Sequence, residues 1–469
     1  MKLVMKFGGT SVADGERIRG VAKIVADYAK KGNKMVVVVS ALNKTTDQLI
    51  EASERARVGD EFFIHKFVHD ISERHIATIK KAIENEFIQK NTVHMIQASI
   101  AELEKALSGI TYLGDLSSKS MDYVLSFGER LSTPIVWGAL TDMGLHAQHY
   151  TGKEVGIVTD SNFGDAKPLM NLTKHQVKER LEPVLEKGII PIVTGYIAAT
   201  QDGVTTTLGR GGSDYTATLL GASINADEIW IWTDVDGLLT ADPKIIPSAR
   251  VIPELSFQEA IEMSLFGAKI MHPRALEPAM EEGIPVRIRN TFNVGNAGSL
   301  IVKEQKVKPK DIAKAVTIFK NVAMITVSGA GMAGVPGTAA KIFDALGKSN
   351  VNLMMISQST SESNISFIIQ RRFLDKAVNA LEIALLGKGI VREVVAEDDV
   401  CVVSVVGAGM KGTPGVAARI FGAVARKGVN IRMMAQGSSE LNVSFVVKET
   451  DGEKALRAIH EEFRLGKPS

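Results

Sequence analysis

The stretch "VMKFGGTSV" (residues 4–12) governs how the rest of the chain is read. An apolar run carries Lys6 and then breaks at once into Gly8, Gly9, Thr10 and Ser11. Taken alone, it is a strand that ends either in an ordinary surface turn or in the floor of a phosphate site. Just downstream, "ERIRGVAKIVADYAKKG" (16–32) has helical spacing, with Gly32 as its C-terminal stop. "KMVVVVSAL" (34–42) follows, and "GIIPIVTGYI" (188–197), "ADEIWIWTDV" (226–235) and "GIPVRIRNT" (283–291) share its character. Hydrophobicity that is continuous rather than alternating predicts strands covered on both faces, as in a parallel sheet. Strands alternating with helices predict an α/β sandwich. Residues 48–109 form a charged, helix-periodic block, read as a helical excursion from that sheet.

A chain of 469 residues is too long for one hydrophobic core, so two or three domains are expected. With 45% hydrophobic and 23% charged residues and a formal net charge of +2, the composition is that of a soluble globular protein. That near-balance gives no support for nucleic acid or an anionic membrane as partner. One cysteine, Cys401 in "DDVCVVSVV", excludes an internal disulfide framework and a cysteine-based metal cluster. Its apolar neighbours mark it as a buried small side chain. No apolar run approaches the ~18 residues needed to span a bilayer. Gly8, Gly9, Asp14 and Glu16 interrupt any signal-peptide core, so a reducing cytoplasm is the expected location.

Past the lysine-rich boundary "VKEQKVKPKDIAK" (302–314) lies an internal repeat. "GAGMAGVPGTAAKIFDALGKSNVNLMMISQSTSESNISF" begins at Gly329 and "GAGMKGTPGVAARIFGAVARKGVNIRMMAQGSSELNVSF" at Gly407, and 21 of the 39 positions are identical without a gap. Each copy reads strand, Gly-rich turn, helix, strand, turn, strand, a small unit whose sheet needs a partner surface. The expected organisation is a first region over 1–302, a linker with the first strand of the repeat region over 303–320, and modules over 321–390 and 391–469.

Four further stretches bear on chemistry. "TTLGRGGSDYTATLLG" (206–221) places Gly209, Gly211 and Gly212 before a helix, with Ser213 as N-cap. Such a loop offers free backbone N–H groups and a helix dipole to a phosphate, although a structural turn has the same glycines. Arg210 between them can grip a carboxylate or phosphate bidentately. "WTDVDGLLTADPK" (232–244) ends a buried strand in Thr233 and Asp234 and turns at Asp236-Gly237 and Asp242-Pro243. It reads either as turn-forming aspartates or as a nucleotide site at the carboxyl end of a parallel strand. In "SFGERLSTPIVWGAL" (126–140), Glu129 sits in a first helical turn, where complementing the helix dipole would suffice to explain it. "SLFGAKIMHPRAL" (264–276) contributes Lys269 and His272, the latter read as a structural or surface residue rather than a catalytic one. Paired-histidine metal spacing, a G-x-S-x-G elbow and a Walker-type loop are all absent from the sequence.

In order, "MKFGGTSV", "VVVVSAL", "SFGERLS", "TLGRGGSDYTA", "WTDVDG" and "FGAKIMHP" resemble the signature set of the aspartate kinases, in the amino-acid-kinase fold family. The tandem repeat resembles their paired ACT modules, so the resemblance covers nearly the whole chain. It implies a three-layer sandwich with a mainly parallel central sheet, followed by two α+β ACT modules of βαββαβ type. Because the sequence stops after the repeats, it is similar to the monofunctional form. The implied reaction is ATP-dependent phosphorylation of the side-chain carboxylate of L-aspartate, with Mg2+ bridging the ATP phosphates. This is the first step of lysine, threonine and methionine biosynthesis.

By motif, the resemblance assigns Lys6 to the phosphoryl group in flight, with Gly8 and Gly9 letting backbone N–H groups approach it. Asp214 orients Lys6. Ser40 and Thr45 line the aspartate pocket, joined by Ser213; Glu129 holds the substrate ammonium and Arg210 its α-carboxylate. Thr233, Asp234, Lys244 and Lys269 fall on the nucleotide side. Leu239, Ala241 and Lys244 depart from the tyrosine, threonine and arginine of many relatives, which bears on how the nucleotide is held.

The repeats read either as a dimerisation module or, as the resemblance favours, as effector sites, whose turns before "PGTAAKIF" and "PGVAARIF" leave helix N–H groups for an amino-acid carboxylate. Asn352 and Gln358, and Asn430 and Gln436, add neutral hydrogen bonds. Lysine-controlled relatives tend to carry an aspartate where Asn352 stands, so the resemblance implies threonine rather than lysine as the effector. Shared modules imply at least a homodimer. The rival readings are a kinase for glutamate or N-acetylglutamate and an inactive amino-acid sensor.

Overall fold

The computed structural model describes residues 1–265, 271–305, 312–386 and 391–467. These form two compact units. The first takes 1–238, 253–257 and 271–304, and the second takes the remaining described residues.

The chain begins β1 (Lys2–Phe7), α1 (Gly15–Ala29), β2 (Lys34–Val39), α2 (Thr45–Arg57), α3 (Glu61–Ala82), α4 (Glu86–Leu113), α5 (Ser118–Leu125) and α6 (Phe127–Asp142). It continues β3 (Ala147–Tyr150), β4 (Val158–Thr159), α7 (Met170–Glu186), β5 (Ile190–Thr194), β6 (Ile197–Thr200), β7 (Thr205–Thr207), α8 (Gly212–Ser223) and β8 (Glu228–Thr233). Then come β9 (Glu254–Ser256), α9 (Phe257–Leu265), α10 (Pro273–Glu282), β10 (Val286–Asn290) and β11 (Ser299–Val302).

The first unit is built on an eight-stranded sheet of order β3-β5-β2-β1-β8-β10-β11-β9. Only the β10–β11 pair is antiparallel. Each continuously apolar run became one of its strands, and Leu3–Phe7, Met35–Val39 and Ile190–Thr194 are buried throughout, as two covered faces require. Leu3, Met5 and Phe7 join a core with α1, α3, α4 and α6. The alternate side chains, Val4 and Lys6, therefore face the opposite layer, where α8 packs on β1. The register sets Phe7 beside both Val39 and Trp232, so the turns after β1, β2 and β8 leave the sheet at one edge. The charged block predicted as helical is α2, α3 and α4. A three-stranded sheet, β4-β6-β7, completes the unit.

The second unit contains β12 (Ala315–Ser328), α11 (Thr338–Lys348), β13 (Met355–Gln358), β14 (Asn364–Gln370), α12 (Leu374–Ala384), β15 (Glu393–Val406), α13 (Val416–Arg426), β16 (Met433–Gln436), β17 (Asn442–Lys448) and α14 (Gly452–Glu462). They build one antiparallel sheet of order β13-β14-β12-β15-β17-β16. The two repeats share their long strands. Ala315–Phe319 pair with Val402–Val406, and Val316 enters the core of the second copy. The first half of β15 gives Val394 to the first copy, packed beside a core that includes Val391. A segment far upstream joins in as well: Ala241, Ile245 and Ile246 are buried with Val403, Phe445 and Ile459. Thr240 Oγ1 is 3.2 Å from His460 Nε2, and Arg250 Nε donates to Leu465 O at 2.8 Å. Cys401 is fully buried, as expected, and burial pushes its thiol up to about 12. No helix among the described residues is long and apolar enough to cross a membrane.

Candidate active site

At the carboxyl edge of β1 and β2 the first unit opens a cavity of about 460 Å³. One wall is the 40–47 segment with Gly9. The other is the glycine-rich turn Gly209–Asp214, and Lys6, Glu129, Gly164 and Tyr196 close the remainder. Four of the motifs, spread over more than two hundred residues of sequence, thus meet in one place, at the edge where the register sets the ends of β1 and β2 side by side.

Lys6 and Asp214 are both nearly buried, and Lys6 Nζ lies 2.5 Å from Asp214 Oδ1. Asp214 occupies the first turn of α8, whose N-cap is Gly211 at φ 74° with no side-chain cap. This corrects the expectation for Ser213, which lies inside the helix rather than capping it. Left-handed Gly211 makes the turn instead, which a residue with a Cβ resists. A Cβ there would also fall 2.7 Å from that of His272.

Glycine at position 9 has an equally direct cause, since a Cβ would sit 2.9 Å from Ala41 O. Gly8 is different. Its N–H donates to Trp232 O at 3.2 Å, so it ties the turn to β8 and does not line the cavity.

Glu129 is buried in the first turn of α6. Burial pushes its carboxyl up to about 8, against the backbone N–H groups of Ala41 and Glu129, the Lys6 charge and the Ser213 hydroxyl. Its Oε2 has no hydrogen-bond partner. Arg210, by contrast, is exposed and pairs with no acidic side chain among the described residues. A buried carboxyl without a cation and an exposed guanidinium without an anion, on one cavity, suit a zwitterion carrying both charges.

Ser40 lines the cavity, and its carbonyl accepts from Ser132 Oγ at 2.8 Å. Thr45 does not line it. It is fully buried with its hydroxyl turned towards Arg74, and Thr46 takes the place in the cavity wall. Adjacent helical residues project about 100° apart, so a one-residue error in sequence reading exchanges cavity for core.

Tyr196 was not anticipated. It has φ 67°, lines the cavity, and has its hydroxyl pushed up to about 12 by burial. Asp122 of α5 also escaped notice; it accepts from Thr207 N (2.9 Å), Thr207 Oγ1 (2.7 Å) and Gly164 N (3.1 Å), tying two pieces of the wall together. Burial raises its pKa against those hydrogen bonds. Neither residue sits in a glycine- or charge-rich motif, so only the distant partners reveal them.

Of the residues expected on the nucleotide side, Thr233, Asp234 and Lys244 are not among those lining this cavity. Thr233 and the exposed Asp234 end β8, with Thr233 Oγ1 3.2 Å from Asp234 Oδ1. Lys244 is exposed in the second unit, in a turn closed by its own N–H to Asp242 Oδ1 at 2.9 Å. Lys269 lies outside the described residues. In the repeats, Asn352, Gln358, Asn430 and Gln436 are all exposed, and α11 and α13 start at Gly337 and Gly415 without side-chain caps.

The amino acid kinase family matches residues 1–290, and the ACT domain matches 325–385 and 403–463. Aspartokinase 1, chloroplastic, of Arabidopsis thaliana is 34% identical over 98% of this chain and 80% of its own length. The bifunctional aspartokinase/homoserine dehydrogenase 2, chloroplastic, of the same plant is 34% identical over 99% of this chain. The chain spans about half the length of that bifunctional relative, 51%. E. coli aspartokinase III in complex with aspartate and ADP (R-state) superposes with a TM-score of 0.83 at 28% identity, covering 98% of this chain and 99% of that one. The same enzyme with lysine and aspartate (T-state) gives 0.81 at 29% identity, covering 98% and 99%. With the lysine–aspartate pair, the glycine turn and the tandem repeat in the expected order, the chain belongs to the amino acid kinase family and, within it, to the aspartokinases.

Proposed function

We propose that this chain transfers the γ-phosphoryl group of ATP to the side-chain carboxylate of L-aspartate, giving 4-phospho-L-aspartate. The reading places it in the cytoplasm at the head of lysine, threonine and methionine biosynthesis. The observation that carries the proposal is the single cavity holding the Lys6–Asp214 pair, the uncompensated Glu129 carboxyl and the unpaired Arg210. An aspartate side chain, with a pKa near ~4, is already an anion at neutral pH, so no general base is needed to activate it. The obstacle is repulsion between that anion and the phosphates. The Lys6 ammonium relieves it where charge is transferred, and Asp214 keeps Lys6 aimed. The carboxylate oxygen attacks phosphorus as the bond to the β-phosphate oxygen breaks, and ADP leaves. Glu129 takes the substrate ammonium, Arg210 its α-carboxylate, and Ser40, Thr46 and Ser213 the rest of the pocket.

Mg2+ fits this donor set as a nucleotide-borne ion. Among the described residues no group of three His, Cys, Asp or Glu could hold a metal by itself, and Mg2+ is commonly bound through phosphates with one or two carboxylates. Asp214 would be the carboxylate that meets it, and the ion would supply further charge neutralisation. Thr233, Asp234, Lys244 and Lys269 are assigned to the nucleotide by motif.

The repeats are read as effector sites in a homodimer or larger homo-oligomer. Uncapped α11 and α13 would receive an amino-acid carboxylate, with Asn352, Gln358, Asn430 and Gln436 nearby in sequence. Glu362 and Glu440 are engaged by the N–H groups of Gly334 and Gly412 at 2.9 and 2.7 Å, which supports a neutral effector and threonine over lysine. ATP turnover trapped as the aspartyl hydroxamate, with and without each amino acid, tests all of this. Aspartate-dependent product suppressed by threonine supports the whole reading; suppression by lysine alone replaces the effector. Product with glutamate or N-acetylglutamate but not aspartate would sink the substrate assignment.

A further inference from the structure

The helical block α2–α4 enters the catalytic argument through one side chain. Arg74, on α3, projects its guanidinium onto the loop that forms one wall of the cavity. Its Nη2 donates to Asn43 O at 2.6 Å, and its Nη1 to Gln48 Oε1 at 3.2 Å and Thr45 Oγ1 at 3.4 Å. These acceptors span the whole turn from β2 into α2, whose residues Asn43, Lys44, Thr46 and Asp47 line the cavity.

That turn needs an external tie. Lys44 adopts φ 65°, a left-handed conformation that residues with a Cβ resist, and α2 starts there without a side-chain cap. Arg74 itself is held firmly. Thr78 Oγ1 donates to its carbonyl at 2.8 Å, and the neighbouring His75 is buried with Nδ1 2.7 Å from Ile71 O. Arg74 pairs with no carboxylate among the described residues, and burial pulls its guanidinium below its usual value. A half-buried cation that satisfies only neutral loop acceptors is arranged to fix that loop.

We infer that Arg74 is a positioning residue for the acceptor side of the cavity: it holds the 43–48 turn so that Thr46 and its neighbours meet the substrate side chain. The inference rests on the proposed reading of the cavity as the aspartate site, and its test separates the two. Arg74→Ala should raise KM for aspartate about 10-fold, Arg74→Lys by less, and both should leave KM for ATP within about twofold, since only the acceptor wall loses its hydrogen bonds. Gln48→Ala, which removes one acceptor and leaves α3 untouched, should move KM for aspartate in the same direction by a smaller factor.

Hydrogen exchange of the free protein supplies a readout independent of turnover. Peptides covering 40–48 should exchange at least about 10-fold faster in Arg74→Ala, with β1 and β5 unchanged. Unaltered exchange in that segment overturns the inference, as does an unaltered KM for aspartate in an active enzyme. An Arg74→Ala protein that exchanges faster everywhere, with both KM values and kcat shifted together, also overturns it in favour of a general stabilising role. If wild-type protein consumes no aspartate while the exchange result holds, the substrate reading fails and the role of Arg74 in ordering the turn stands.

Discussion

At one end of the cavity a buried cation already has its anion; at the other a buried carboxyl has none. Lys6 and Asp214 compensate each other across 2.5 Å. Glu129 sits in comparable seclusion; the Lys6 charge pulls its pKa down, but burial outweighs that and pushes it up. The contrast separates two ways of preparing for a charged ligand. The paired end is organised before anything binds, which suits charge that appears only during transfer. The unpaired end is protonated until a ligand brings its own cation, which suits recognition of an ammonium in the ground state.

The largest effect that could break this contrast comes from Lys6. Lys6→Ala should lower kcat about 10²–10³-fold, the usual loss for one preorganised charge-stabilising donor. Far-UV circular dichroism should remain that of the wild type, since β1 keeps both neighbouring strands. A rise in KM alone, with kcat unchanged, would mean that Lys6 only binds.

Glu129→Gln attacks the other end. Losing a charge-assisted hydrogen bond of about 1.5–3 kcal/mol should raise KM for aspartate roughly 10- to 100-fold, with a smaller change in kcat. The same variant has a stability signature of opposite sign. The folded pKa of about 8 lies above the model-compound value of 4.5, so the contribution of this group to stability is complete below pH 4.5 and is lost as pH rises through about 8. Without substrate, Glu129→Gln should therefore melt higher than wild type at pH 8 and above, and the difference should shrink towards pH 4.5. A variant that melts lower across that whole window would mean the ionised carboxylate has partners in the fold.

Wild-type protein offers a subtler check. If the proposed role holds, aspartate binding needs ionised Glu129, so kcat/KM for aspartate should climb with pH up to about 8 and then level off, losing this feature in Glu129→Gln. Calorimetry in buffers of different ionisation heat should detect release of a proton on binding at pH 7. The smallest effect concerns the wall. Thr46→Val should raise KM for aspartate by about 2- to 10-fold, whereas Thr45→Val should stay within about twofold. Reversal of that order would restore Thr45 to the pocket.

Much of this was legible in the sequence for identifiable reasons. The buried parallel strands announced themselves because burial on both faces leaves runs such as "KMVVVV" without polar alternation. Lys6, Glu129, Arg210 and Asp214 stood out because charge beside glycine at strand and helix ends is conspicuous. What stayed hidden depends on three-dimensional neighbours. Arg74 and Asp122 act on backbone groups 31 and 85 positions away, and no local pattern encodes such partners. Ser213 looked like a cap until Gly211 proved to make the turn. The repeat was plain, but its 78-residue period suggests two separable modules, whereas β12 and β15 are each divided between both cores. Ala241 looked like part of a nucleotide loop because an apolar residue in a turn does not say which core it will enter.

The interleaving of the chain between its two units also sets a timetable for biosynthesis. Ala241 and Ile246 belong to a core whose other members, Phe445 and Ile459, lie some two hundred residues further on. At about 5–20 residues per second, the ribosome delivers those partners roughly 10–40 s later. During that interval the nascent protein can complete β1, β2 and β8 but must leave the 239–252 segment with its apolar side chains unclaimed. The second half of the chain is thus needed to finish folding what the first half began, and a chaperone that shelters this segment during translation would meet that need.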